Sequence, residues 1–310
     1  IAHNNLGLIL RDRGDLESAQ RHFEDALRDN PDHYEAMNNL GALHQLRGEN
    51  DLALNYFDRA LALRPELYDC WVNRGNLLRD RGDVQGAYAS YAKAADVQPD
   101  MEAAWVNTAL LAESQGDGAR AGEAYKRLLT MKKLPPADIG GFLYERAFKS
   151  SQMGRNELAH QLLDQAATLS PGLADIYLLQ GTIQENQGQY SAAEKMYRKA
   201  LSIRSDWGAV LLRLAIVLSA HPDPAQRNAK EALSMTEAMM QAGGDRYAGI
   251  LDAYAMALAA NGRFGEAMQA QQRAIEGASA DAERNAMDLR FQLYQQGQSY
   301  TLPATSNAKP

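Results

Sequence analysis

With 310 residues the chain is long enough for two ordinary globular domains or for one elongated repeat array. Charged residues make up 23% and hydrophobic residues 45%, so a packed core is expected and wholesale disorder is not. The formal charge of −7 argues against nucleic acid or an anionic membrane surface as the main partner.

From the N-terminus the chain reads as helix pairs on a 34-residue period, and Ile1 already lies inside the first. Any targeting segment is therefore expected upstream of it. Leu-Arg-Asp-Arg-Gly-Asp occurs at Leu10–Asp15 and returns two periods later at Leu78–Asp83. Turn glycines follow the same period at Gly14, Gly48, Gly82 and Gly116. After a short insertion near Leu134–Asp138 they resume at Gly154 and Gly188, and after a second, His221–Asn228, at Gly262.

Other columns fall into place around the turns. Seven residues before each stands a small residue: Gly7, Gly41, Gly75, Ala109, Ala147, Gly181 and Ala255. Alanine follows five residues after: Ala19, Ala53, Ala87, Ala121, Ala159, Ala193 and Ala267. A ring or large aliphatic comes next, at Phe23, Phe57, Tyr91, Tyr125, Leu163 and Tyr197. A second alanine follows at Ala26, Ala60, Ala94, Ala166, Ala200 and Ala274, and proline closes the unit at Pro31, Pro65, Pro99 and Pro171. Two antiparallel helices of about twelve residues must approach closely here, so a small residue on one faces a ring on the other. Glycine supplies the positive φ that ends the first helix. Proline is expected to end the second helix and start the following one.

Two irregularities interrupt the array. Lys133, followed by Leu-Pro-Pro-Ala, stands where proline is expected, and should change the superhelical pitch. The segment His221–Asn228 replaces an inter-helix turn, after which a helix should restart near Ala229 with Ala232 as its small residue. Domains are accordingly expected at 1–134 (four repeats) and 135–280 (about four more). A capping helix should span 281–300, with Ala282, Ala286, Leu289 and Leu293 on its buried face, and 301–310 should form a flexible tail.

The columns resemble the tetratricopeptide repeat (TPR): a small residue at position 8, alanine at 20, an aromatic at 24, alanine at 27 and proline at 32. Trp71, Trp105 and Tyr177 meet its aromatic at position 4. The resemblance covers residues 1 to about 280. It implies an all-α, right-handed superhelical solenoid of about eight helix pairs plus the cap, and a scaffold or adaptor that binds protein or peptide in its concave groove.

One further column points to such a site. Asn5, Asn39, Asn73 and Asn107 recur at the repeat spacing, although asparagine is a mediocre helix former. A row of amides both donates and accepts, and so can clamp an extended backbone without reading its side chains. The row resembles the asparagine ladder of O-linked N-acetylglucosamine transferase repeats. It stops after four, since Glu145, Leu179, Arg213 and Ala253 occupy the later places. Asn38, Asn76, Arg79 and Arg11 are neighbouring peptide-binding candidates. The other reading of the row is that its amides pair between helices and fix the stacking register. A chaperone-tail carboxylate clamp is not expected, because position 5 reads Asn4, Asn38, Val72, Val106, Tyr144, Leu178, Leu212 and Asp252, with no lysine.

Nothing in the sequence points to catalysis. His3, His22, His33, His44, His160 and His221 fall in no metal-ligand spacing, so neither a metal nor another cofactor is expected. The single cysteine, Cys70, excludes an internal disulfide and leaves cytoplasm and periplasm equally open. No run of eighteen apolar residues occurs, so no membrane insertion is expected. Met235, Met239, Met240, Met256 and Met268 read as core packing. Two alternatives to an adaptor remain: the substrate-positioning part of a larger enzyme, such as a bacterial glycosyltransferase with an upstream catalytic or membrane domain, or a structural subunit of a complex. The ending Gly262-Arg-Phe-Gly-Glu-Ala-Met, followed by the capping helix and Leu293–Tyr300, is similar to the closing unit of such bacterial proteins.

Overall fold

A computed structural model describes residues 2–304. Among the described residues every regular element is helical, with seventeen α-helices and two single turns of 3-10 helix. In order, the pairs are α1 (Ala2–Asp12) with α2 (Leu16–Asp29), α3 (Tyr34–Leu46) with α4 (Asn50–Leu63), α5 (Tyr68–Asp80) with α6 (Val84–Val97), and α7 (Glu102–Gln115) with α8 (Gly118–Met131). Then follow α9 (Pro136–Gln152) with α10 (Asn156–Leu169), α11 (Ala174–Asn186) with α12 (Tyr190–Ile203), α13 (Gly208–Ala220) with α14 (Ala229–Gln241), and α15 (Ala248–Ala260) with α16 (Phe264–Gly277). The last helix, α17, spans Asp281–Gln295. These are the eight pairs and closing helix that the repeat columns demand.

The columns have direct physical causes. All seven predicted turn glycines take φ between +72° and +82°. A Cβ placed on Gly41 or Gly75 would lie 2.6 Å from the Phe57 ring or 2.5 Å from the Tyr91 ring. No methyl fits there, so glycine and ring form one device: the backbone comes close and the ring fills the gap. Ala147 and Leu163, which hold these two columns in the fifth repeat, are each fully buried. The first alanine column is fully buried at all seven positions.

Proline follows the end of the second helix, as expected, but does not start the next one. Each of the four lies two residues past the end of one helix and three before the start of the next, inside the turn. In three of the four its carbonyl accepts a hydrogen bond from the aromatic at position 4: Trp71 Nε1 to Pro65 at 2.7 Å, Trp105 Nε1 to Pro99 at 3.2 Å, and Tyr177 Oη to Pro171 at 3.3 Å. Asp15, Asp83 and Asp117 cap the helices that follow their turns, each accepting from the backbone N–H three residues on.

The chain divides into two compact units. The first holds the chain to Ile139 together with Glu157–Gln165, and the second holds Gly140–Asn156 and the chain from Ala166 on. In the first, Phe23, Phe57 and Tyr91 centre the core with Leu40, Leu43 and Leu77. Burying each such side chain contributes about 1.5–3 kcal/mol. Lys133 takes φ of +59°, alone among the described non-glycine residues.

In the second unit the insertion folds as a short 3-10 turn, Pro224–Gln226, capped by Asp223. Arg227 Nε donates to the His221 carbonyl at 2.6 Å, and α14 restarts at Ala229 with Ala232 fully buried, as the sequence suggests. The closing helix buries only part of the face expected: Leu293 packs on the core and Ala286 is half-buried. Leu289 is 64% exposed and Ala282 is exposed, while Met287 and Tyr294 are buried. That face is set by Arg290, whose guanidinium meets the buried Asp252 carboxylate at 2.8 and 2.9 Å. Nor is the tail free from Thr301: residues 301–304 are held against α12 and α13, and the rest of the expected tail lies outside the described residues.

Candidate peptide-binding site

The asparagine column lies on α1, α3, α5 and α7, and the structure divides its members by environment. Asn39 is buried and donates its amide to Asn4 Oδ1 at 2.9 Å; Asn73 donates to Asn38 Oδ1 at 3.1 Å. Each bond joins the first helix of one pair to the first helix of the pair before it, 35 residues back. Asn107 would meet Val72 in that register, and it makes no side-chain hydrogen bond among the described residues. Asn5 is exposed and equally free. The row is therefore part register, part open amide: Asn39 is spent on stacking, Asn73 keeps its carbonyl oxygen, and Asn5 and Asn107 keep everything.

The neighbouring candidates have local explanations. Asn76 accepts from the Tyr91 hydroxyl at 2.9 Å, satisfying a phenol whose ring is fully buried. Leu8 and Ala42 stand at the matching positions of the pairs whose ring is Phe23 or Phe57, which need no such partner. Arg11 and Arg79, from the two copies of the shared hexapeptide, each fork onto the next aspartate, Asp12 and Asp80, at 2.9 Å. Both remain partly exposed, with the guanidinium neutralised by its neighbour.

Other chemistry-bearing groups lie away from this row. Cys70 is fully buried; burial pushes its thiol up to about 12, and its S–H points at the Phe57 carbonyl at 3.6 Å, the environment of a packing residue. His3 and His22 bring their Nδ1 atoms within 3.0 Å of one another beside Asp25, the one grouping of metal-ligand type among the described residues, which sequence spacing did not reveal. Their ring centroids are 5.2 Å apart, so the two nitrogens face each other nearly head-on. That is the geometry of an N–H···N hydrogen bond; lone pairs aimed along one line do not converge on an ion.

Sequence reasoning also missed a cleft of about 840 Å³ between α6 and α8, floored by Trp105 and Thr108. Arg120 lies 3.9 Å over the Tyr88 ring and Arg127 5.9 Å from the Trp105 ring centre, which gives this cleft a cationic and aromatic wall. Of the methionines, Met256 is core, whereas Met235 and Met239 border an apolar cleft of about 570 Å³ with Leu211, Tyr247 and Ile250. Among the described residues no helix is long and apolar enough to cross a membrane.

Tetratricopeptide-repeat profiles match residues 4–67, 72–138 and 174–206, just over half of the chain. The chain belongs to the tetratricopeptide repeat family. None of the curated proteins compared with it matches. Among solved structures it is similar to a tetratricopeptide repeat protein from Parabacteroides merdae, at 15% identity over 95% of this chain and 98% of that one, with a TM-score of 0.40. It is similar to pilF of Pseudomonas aeruginosa, at 21% identity over 69% and 93% of the two chains, TM-score 0.42. It is also similar to YrrB, described as a TPR protein with an unusual peptide-binding site, at 17% identity over 61% and 95%, TM-score 0.37. These likenesses bear on the fold alone.

Proposed function

We propose that this chain is a protein–protein interaction scaffold that holds an extended polypeptide segment along the first helices of its first four pairs. The observation that supports it is the unspent hydrogen-bonding capacity of Asn5, Asn73 and Asn107, three amides on one repeat register that water reaches. An extended backbone needs a donor or an acceptor at intervals, and an amide offers both. Arg11 and Arg79 flank the row as forks already half-neutralised by aspartate, so they favour a neutral main chain over a free carboxylate. Asn39 belongs to the other reading, register, because its amide is buried and already bonded to Asn4.

The test replaces Asn5, Asn73 and Asn107 with alanine together and compares the proteins captured by wild type and variant, after circular dichroism and melting show the fold intact. Each lost contact should weaken partner binding by about 0.5–1.5 kcal/mol. Equal capture of every partner by the folded variant would end the groove reading.

A further inference from the structure

The second unit carries a different site, already occupied by the chain itself. Helix α13 ends without the glycine turn that closes the other first helices of the pairs. In α1, α3 and α5 the turn glycine and the residue after it donate their N–H groups back to the last carbonyls, as Gly14 does to Arg11 and Asp15 to Leu10. The insertion after Ala220 removes that arrangement. Asn228 N–H reaches the Leu218 carbonyl at 2.9 Å, and the Ala220 carbonyl is met at 2.7 Å by the N–H of Leu302, from the far end of the chain.

Three more contacts accompany that bond. Tyr190 Oη donates to the Pro303 carbonyl at 3.0 Å, and Arg227 Nη2 to Thr301 Oγ1 at 3.1 Å. The Leu302 side chain packs on the core built from Tyr190, Leu214 and Leu218. The segment Thr301–Ala304 has no regular secondary structure and touches the unit through one leucine and three hydrogen bonds. The groove does not end with it: a cleft of about 500 Å³ continues past Ala304, between the start of α12 and the insertion, along Gln189, Ser191 and His221.

We infer that this groove is a second peptide-binding site, specific for an irregular segment carrying leucine followed by proline, and that residues 301–304 fill it in cis as a displaceable strap. The recognition chemistry is written in the contacts. The leucine fills the apolar socket. Its own N–H caps the open helix end by meeting the Ala220 carbonyl, an acceptor that the missing glycine turn leaves without its usual backbone donor. Proline follows, so its carbonyl is offered to Tyr190 while no second N–H is wasted. Displacement is within reach because ordering each strap residue costs about 1–2 kcal/mol in backbone entropy, which a single leucine and three partly exposed hydrogen bonds offset only narrowly. The inference does not depend on the asparagine row, and either can fail without the other.

The test uses the full chain and a fluorescein-labelled peptide of residues 298–304, read by fluorescence anisotropy. The tethered strap competes at roughly millimolar effective concentration, so the peptide should bind the Leu302→Asp chain at least about tenfold more tightly than wild type. The same peptide with aspartate in place of its leucine should not bind. Tyr190→Phe, combined with Leu302→Asp, should lose about threefold or more of the affinity. A folded Leu302→Asp chain that ignores the peptide, or wild type binding it equally well, overturns the proposal. Hydrogen exchange in the unmodified chain gives a reading free of any folding defect. The Leu302 amide should exchange well before the Asn228 amide, and exchange in step with it would show that the strap never opens on its own.

Discussion

The first four helix pairs and the end of the chain solve the same packing problem by partly different means. In the first, identical short-range devices recur: a positive-φ glycine, an aspartate cap, a glycine facing a ring, and an amide reaching 35 residues back. From α12 to the closing helix, one-off contacts join them: the Asp252–Arg290 pair, the Arg198–Glu231 fork at 2.7 and 2.8 Å, and the strap at Ala220. Where the period holds, each repeat reinforces its neighbour and no single contact is decisive. Where it breaks, the fold relies on single contacts between residues distant in sequence.

The largest effect should therefore come from the closing helix. Asp252→Ala leaves the Arg290 guanidinium buried without its partner and should cost about 3–5 kcal/mol, measured by chemical denaturation. A loss below about 1 kcal/mol would erase the contrast between the regions. Next comes the glycine–ring device: Gly75→Ala should cost about 1–3 kcal/mol by overpacking against Tyr91. Adding Tyr91→Leu should restore part of that loss; strict additivity of the two changes would show that the column is not a coupled pair. Smaller again, Asn39→Ala and Asn73→Ala should each lower stability by about 0.5–1.5 kcal/mol, with Asn39 the costlier because Asn4 is left buried and unpaired.

The smallest effect is a pH dependence. Hydrogen bonds from the Arg198 guanidinium come first among the influences that hold the Glu231 carboxyl below its usual value of 4.5; burial, next in size, opposes them, and the Arg198 charge and Asn228 add to them. A carboxyl depressed in the folded state stabilises above its unfolded pKa, and that contribution is lost as pH falls through its folded value. Glu231→Gln should thus narrow the acid dependence of stability, with the two proteins converging below about pH 4. Parallel melting curves from pH 7 down to 3 would show that the fork contributes nothing.

The legibility of the sequence follows the same division. The period alone located the seven turn glycines, the two insertions, the glycine and alanine columns and the restart at Ala229, because each shows as agreement with the repeat spacing or as a break in it. It did not reveal that Asn39 and Asn73 spend an amide on Asn4 and Asn38. That depends on a 35-residue offset between neighbouring helices, which only their packing fixes. Asn76 looked like a groove residue and proved to be the partner of the Tyr91 hydroxyl, a pairing visible only once the ring is in place.

The closing segment shows the limit most clearly. From spacing alone, Leu289 and Leu293 define an apolar face for α17, and Thr301 begins a free tail. In the structure Leu289 faces solvent, because burying the Asp252–Arg290 pair outweighs one leucine in setting the rotation of the helix. The strap likewise depends on an acceptor at Ala220, left open by an insertion eighty residues earlier. Local pattern determines helices, turns and close approaches, since their energies are local. Which face a lone helix buries and where a strand of irregular chain docks are decided by partners distant in sequence, and only the tertiary structure brings those together.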